Sequence, residues 1–249
     1  MISRRILNMA AAQKLTDQEL IEKIRKVRLA DLSDGMDALG LVNVGSMSTD
    51  MRPLRPGIAF AGFAYTVKLI KSQEPVIPSS SVEEYFKKNG EWCREVYTFD
   101  RIMKNDDITD KVLVIDMDGY PGGVLGSDNM LAYKFRGMAG AVVDGGCRDS
   151  FECNLEEVNV FSTRRTFHHV SFRLAHGGVN IPVQCAGVTV HPGDVICADD
   201  DGVLVIPRNR AEEVLEFAIA ILQADQKART AKYEALGMQP DYTLNRLGE

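Results

Sequence analysis

"DKVLVIDMDGYPGGVLGSDNMLAYKFRGMAGAVVDGGCRD", from Asp110 to Asp149, decides the fold. Its opening, DKVLVIDMDG, is a run of β-branched and apolar residues bounded by charge and glycine, the pattern of a strand buried on both faces. SDNMLAYKFRGM then reads as a helix, with Ser127 or Asp128 as its N-cap. AGAVVDGG is a second buried strand. Residues 111–147 thus form a strand–loop–helix–strand unit, which predicts a parallel pair joined by a right-handed crossover.

Ligands of open parallel sheets gather beyond the carboxyl ends of the strands. Two such ends open on the same rim here: the DGYPGGVLGSDN loop after the strand ending near Asp116, and DGGCRD after the next strand. The first leads into a helix N-terminus, whose free backbone N–H groups favour an anion. Gly122, Gly123 and Gly126 let a ligand approach the main chain. Arg148 offers a planar, two-pronged donor to a carboxylate. Asp149 supplies the hard oxygen that Mg²⁺ or Mn²⁺ prefers. A small 2-oxo acid suits this set. The plain alternative is a surface ion pair beside a tight turn. The loop is neither a Walker motif nor a GxGxxG fingerprint.

Outward from this unit, the chain reads as one α/β domain spanning residues 1–249. LTDQELIEKIRKV is a helix, with Thr16 and Glu19 forming a capping box and Leu20, Ile21, Ile24 and Val27 an apolar stripe. LADLSDGMDALG follows as a short strand or turn and then a helix stopping at Gly40, so residues 16–40 form an N-terminal helical segment. IAFAGFAYTVKLI is one or two strands. Residues 72–110 are polar and irregular, with helical pieces, and read as an insertion or lid. After 150 the pattern turns to strands and hairpins, with turn signals at Pro192-Gly193 and Asp201-Gly202. A long amphipathic helix occupies 209–237 and ends at Gly237.

Composition excludes several classes. The 249 residues carry a net charge of −6 and no basic stripe, which argues against nucleic-acid binding. No stretch approaches a membrane span. The N-terminus, MISRRILNMAAAQKL, is too short in apolar residues for a secretory signal, and acidic residues begin at Asp17. The five cysteines form no CxxC pair, which implies reduced, mostly buried thiols in a cytoplasmic protein. Cys147 adjoins Arg148, but no histidine lies near it in sequence to act as a base.

LGSDNMLAYKFRGMAGAVVDGGCRD, with LSDGMDALG, MRPLRPGIAFAGFAYTV and VHPGDVICADDDGVLVIP in that order, resembles the family named for regulator of ribonuclease activity A. That family includes the class II 4-hydroxy-4-methyl-2-oxoglutarate and 4-carboxy-4-hydroxy-2-oxoadipate aldolases. The resemblance covers most of the chain outside 72–110. It implies a compact swivelling β/β/α-type domain and a homotrimer or homohexamer with sites at subunit interfaces. It also implies that the amides of Gly126, Ser127, Asp128 and Asn129 bind a pyruvyl group, that Arg148 binds substrate, and that Asp149 holds the divalent metal. Asp37 matches an acidic residue that a neighbouring subunit contributes. The chain departs from the family pattern at Ser127, where an acidic residue is usual; the acid comes one place later, as Asp128. For a further acid near the C-terminus, Asp225 and Glu234 are candidates.

The remaining candidates are weaker. His168 and His169 fall on a predicted strand, pointing to opposite faces, and His176 and His191 fall in turns. Asp199, Asp200 and Asp201 mark a hairpin rather than a calcium site. The resulting expectation is a metal-dependent carbon–carbon lyase releasing pyruvate from a 4-hydroxy-2-oxo acid, with oxaloacetate decarboxylation as a side activity. Its catalytic groups would be Arg148, Asp149, Asp37 and Asp128. The alternative is a non-catalytic regulator docking on a ribonuclease or another protein partner.

Overall fold

The structure, a computed structural model, describes residues 14–76 and 78–248, so most of the N-terminal stretch read for a targeting signal lies outside it. Two helices open the described chain: α1 (Asp17–Ile24), capped by the reciprocal Thr16–Glu19 box, and α2 (Leu29–Ala38). No strand precedes α2, because Arg28 is already extended as its N-cap and the helix starts directly at Leu29. A short β1 (Arg52–Pro53) leads to β2 (Phe60–Lys71), one unbroken strand of 12 residues. The 72–110 segment then folds as α3 (Val82–Trp92), a π-helical turn at Cys93–Tyr97 and α4 (Phe99–Met103).

The deciding unit follows as β3 (Lys111–Asp116), β4 (Gly123–Leu125), α5 (Ser127–Phe135) and β5 (Gly140–Cys147). β3 and β5 are parallel neighbours, Val112 opposite Gly140 through Asp116 opposite Asp144, as the sequence predicts. α6 (Ser150–Leu155), β6 (Val160–Arg165) and β7 (Leu174–Val179) come next. Two hairpins then form, β8 (Val183–Cys185) with β9 (Val188–Val190), and β10 (Val195–Asp199) with β11 (Gly202–Ile206). The long α7 (Ala211–Leu236) ends at Gly237 in the left-handed conformation.

One mixed sheet runs in the order β1-β6-β5-β3-β2-β10-β11, with β4 beside β5 and β7 beside β2. Along β3, Leu113 and Ile115 face the layer of the 72–110 segment and α5, while Val112 and Val114 face the β8–β9 hairpin. Each of these four side chains is buried, which explains the continuous apolar run and stabilises the fold by roughly 1.5–3 kcal/mol per residue. A third apolar layer joins α1, α2 and α7 to Ala61, Phe63, Val195 and Ile206. The acids that end β3 and β5 serve the fold. Asp116 accepts from Gln184 N–H at 3.1 Å and pairs with Lys68 at 2.8 Å, and Asp144 accepts from Ala186 N–H at 2.8 Å. Together they hold the β8–β9 hairpin across the sheet.

The 72–110 segment packs into the body of the domain. Trp92 Nε1–H donates to Leu174 O at 3.1 Å, and its ring stacks on Tyr97 at 4.5 Å. Tyr133 on α5 donates to Asp100 on α4. Burial pushes the Asp100 carboxyl above the usual carboxylate range, against the opposing effect of the Tyr133 hydroxyl. A carboxyl raised in the folded state favours folding fully only below its unfolded value and costs stability as pH rises through its folded value. Asp100→Asn keeps an acceptor for Tyr133 and removes that cost. The variant should therefore melt at a higher temperature than the parent at pH 7, with the difference gone near pH 3, in paired calorimetric scans.

Candidate functional site

The end of β5 and the end of β4 form one rim because the two strands are parallel neighbours, Gly123 opposite Gly146 and Leu125 opposite Cys147. Arg148 N–H donates to Leu125 O at 2.9 Å, which fastens the residue after β5 to the residue before Gly126. Asp149 then stands at the N-cap of α6 with φ 56° and ψ 38°, a left-handed conformation that Asp tolerates better than most side chains. This turn directs its carboxylate toward the start of α5. A Cβ added at Gly126 would lie 2.1 Å from Asp149 Oδ2, and one added at Gly123 would lie 3.1 Å from Arg148 Cβ. The glycines clear room for the Arg148 and Asp149 side chains, as well as for any ligand.

Gly126, not Ser127 or Asp128, is the N-cap of α5; it is extended (φ −140°, ψ −173°), and no side chain caps the helix. The hydroxyl and carboxylate expected to cap are already inside the first turn. The amides of Ser127, Asp128 and Asn129 are left for another acceptor. Met130 N–H donates to Gly126 O at 3.1 Å and starts the helix.

Arg148 Nε and Asp149 Oδ2 are 3.5 Å apart, and both side chains are about one-third exposed, at 34% and 35%. Their pairing is too loose and too wet to be a stability device. No hydrogen-bond donor saturates the Asp149 carboxylate among the described residues. This donor set fits a hydrated Mg²⁺ or Mn²⁺, which takes one or two carboxylates and fills its shell with water and substrate oxygens. It would not fit a dedicated protein cage: among the described residues no group of three or more His, Cys, Asp or Glu could hold a metal.

The other candidates separate. Asp128 is exposed on the first turn of α5 and makes no ion pair with Arg148 among the described residues. Asp37 is exposed on α2, which packs on α7, β10 and β11 rather than at the rim. Asp225 is paired with Arg28 at 2.8 Å, and Glu234 is exposed near the end of α7. Asp199 accepts from Asp201 N–H at 3.0 Å within the hairpin turn, and Asp200 accepts from Gly57 N–H at 2.8 Å, which ties the turn to the loop before β2. Cys147 is fully buried, and its hydrogen bond with Cys153 and desolvation push its thiol up, which weighs against a nucleophilic role.

Two histidine expectations change. His176 lies within β7, opposite Leu69, rather than in a turn. β6 ends at Arg165, so His168 and His169 lie in an extended link and not on a strand. That link returns to the rim: Gly123 N–H donates to His168 O at 2.7 Å, and Gly123 forms a parallel bridge with His169. His169 is thus a neighbour of the site that the sequence does not reveal, because a long-range return has no periodicity. Burial first, then the Arg148 and Arg173 cations, hold its imidazole below the usual histidine range, with Asp149 opposing.

A family model described as "RraA-like: Aldolase/RraA" matches residues 29–205. The chain belongs to the RraA-like (Aldolase/RraA) family. Protein DlpA of Legionella pneumophila is 29% identical over 217 residues, 87% of this chain and 32% of that protein. The 4-hydroxy-4-methyl-2-oxoglutarate aldolase of Thermus thermophilus is 33% identical over 99 residues, 39% of this chain and 59% of that protein. The chain therefore spans only 32% to 59% of the length of these curated relatives. Among solved structures, Streptomyces coelicolor RraAS2, described as an unusual member of the RNase ES inhibitor RraA protein family, superposes with a TM-score of 0.67 at 26% identity, over 87% of this chain and 98% of that one. The RraA-like chain is a mixed α/β domain of that fold, with helices at both ends of the described sequence.

Gly126→Ala isolates the rim from the fold. The backbone angles accept alanine, but the new methyl would displace the Asp149 carboxylate. Titration calorimetry with Mg²⁺ and pyruvate should show binding weakened by about tenfold or more, with the melting temperature within a few degrees of the parent.

Proposed function

We propose that this RraA-like chain is a divalent-metal-dependent aldolase that cleaves a 4-hydroxy-2-oxo acid into pyruvate and a second carbonyl compound. The observation that supports it is the Asp149 carboxylate lying against Gly126, at the uncapped start of α5, with Arg148 beside it. Arg148 holds the substrate carboxylate through two parallel N–H donors. The amides of Ser127, Asp128 and Asn129 share that charge and fix the 2-oxo end against the helix. Asp149 would hold Mg²⁺ or Mn²⁺, which supplies Lewis-acid polarisation of the 2-oxo group.

Cleavage needs a base for the C4 hydroxyl proton. Asp37 of a neighbouring subunit is assigned that role, with Asp128 as the candidate from the same chain. As the proton leaves, the C3–C4 bond breaks, its electron pair passes into the 2-oxo group, and protonation at C3 yields pyruvate. Oxaloacetate loses carbon dioxide through the same enolate, so decarboxylation is a side activity. The setting is taken as cytoplasmic, in keeping with five free cysteines, four of them buried. No helix among the described residues is long and apolar enough to cross a membrane, and the net charge of −6 disfavours nucleic acid.

Self-association completes the reading. Leu131 and Phe135 share one face of α5, and Phe151 and Leu155 share one face of the adjacent α6, each pair spaced i,i+4. Phe135 is 92% exposed and Phe151 71%. Such apolar faces beside the rim support a homotrimer or homohexamer with sites between subunits. The likeness to a member of an RNase inhibitor family supports a second reading, a non-catalytic regulator docked on a ribonuclease through the same faces.

The deciding measurement is pyruvate release from a panel of 4-hydroxy-2-oxo acids and oxaloacetate, with Mg²⁺ and with a chelator. Metal-dependent release is expected, and a flat panel in both conditions would leave the regulator reading. Asp149→Asn keeps the left-handed turn and removes the charge, so kcat/KM should fall on the order of 100-fold with little change in melting temperature. Joint Phe135→Asp and Phe151→Asp substitution should bring the sedimenting species to the 27.5 kDa monomer and abolish release.

A further inference from the structure

Next to the rim, the start of the 72–110 segment borders an open cavity of about 550 Å³, within the size range of small-molecule sites. Val76, Pro78, Val82, Tyr85 and Phe86 form its apolar wall. Val82 and Phe86 are 73% and 67% exposed, so the described residues leave this wall uncovered. Tyr85 and Phe86 stand edge to face at 5.7 Å, and Phe172 continues the aromatic array at 6.4 Å from Tyr85.

The facing wall is polar and adjoins the rim. His169 lines the cavity, and its segment is bonded to Gly123, the residue packed beneath Arg148. From the other side Ser171 Oγ donates to Asn89 Oδ1 on α3 at 2.8 Å, which ties the same segment to the 72–110 helix. Ser171 N–H donates to His169 Nδ1 at 2.9 Å. The Ser171 hydroxyl also lies against Nδ1, so both contacts engage that nitrogen and Nε2 is the one with no hydrogen-bond partner among the described residues. Arg173 spends Nη1 on the carbonyls of His169 and Ser171 and has no carboxylate partner among the described residues. An apolar wall with aromatic edges, facing a guanidinium already held by two carbonyls, suits a π-face, which packs against the rings and lies over the cation.

We propose that this cavity receives the C4 substituent of a substrate anchored at Arg148, and that the substituent is aromatic: the chain acts on aryl-bearing 4-hydroxy-2-oxo acids, giving pyruvate and an aromatic aldehyde or ketone. The inference rests on the carboxylate being held by Arg148. His169 is the shared wall that sets the distance between the carboxylate end and the ring.

Binding of 2-oxo-4-phenylbutanoate and of pyruvate to the full chain, measured by calorimetry with Mg²⁺, tests this without relying on turnover. The aryl acid should bind at least about tenfold tighter than pyruvate. It should also change the emission of Trp92, the single tryptophan, whose ring lies 6.4 Å from that of His169. Phe86→Asp, at an exposed position, should bring the two affinities within about twofold while leaving pyruvate binding unchanged. Equal affinities in the parent, or a preference that survives Phe86→Asp, would overturn the proposal and leave the Arg148 reading standing. Failure of both acids to bind would overturn both. Tight aryl binding that is indifferent to Arg148→Ala would overturn the aryl-substrate inference together with the Arg148 reading, since the ring would then be held without the carboxylate anchor.

Discussion

Everything at the rim depends on one close contact, the Asp149 carboxylate lying over the Cα of Gly126. It exists because β4 runs parallel to β5, which brings the start of α5 and the residue after β5 to the same height. The contact places negative charge at the positive end of a helix whose amides no side chain caps. A carboxylate in that position is held by the helix field without being consumed by hydrogen bonds. Arg148, sharing the rim, balances it only loosely. The site is therefore polar, hydrated and poised between cation and anion, a suitable place for a small charged ketone.

The fold was legible where burial leaves a signature. The runs Lys111–Asp116 and Gly140–Cys147 are apolar on both faces because layers cover both sides of the sheet, and the Thr16 box and Gly237 stop mark their helices by local chemistry. The cap of α5 was misplaced by one or two residues because Ser127 and Asp128 are good capping residues in isolation, while Gly126 is selected by its contact with Asp149. Arg148 and Asp149 could be found by their position beyond a buried strand. His169 could not, since what makes it a neighbour is a hydrogen bond between Gly123 and His168, residues far apart in sequence.

The same limit applies to the 72–110 segment. Its composition identified helical pieces and little more. Its place in the domain comes from a few specific contacts, Trp92 to Leu174, Tyr133 to Asp100 and Ser171 to Asn89, none of which has a periodic trace. These contacts make it a wall attached to the core on one side and to the rim on the other.

The left-handed turn at Asp149 bears on how members of this fold could diverge. Asparagine and glycine occupy such a conformation at low cost, whereas most other residues resist it. A lineage could thus discard its chemistry by a single codon change and keep its architecture whole. Catalysts and bare scaffolds would then lie one step apart on the same evolutionary path, and ancestry alone would be a poor guide to which of the two a descendant is.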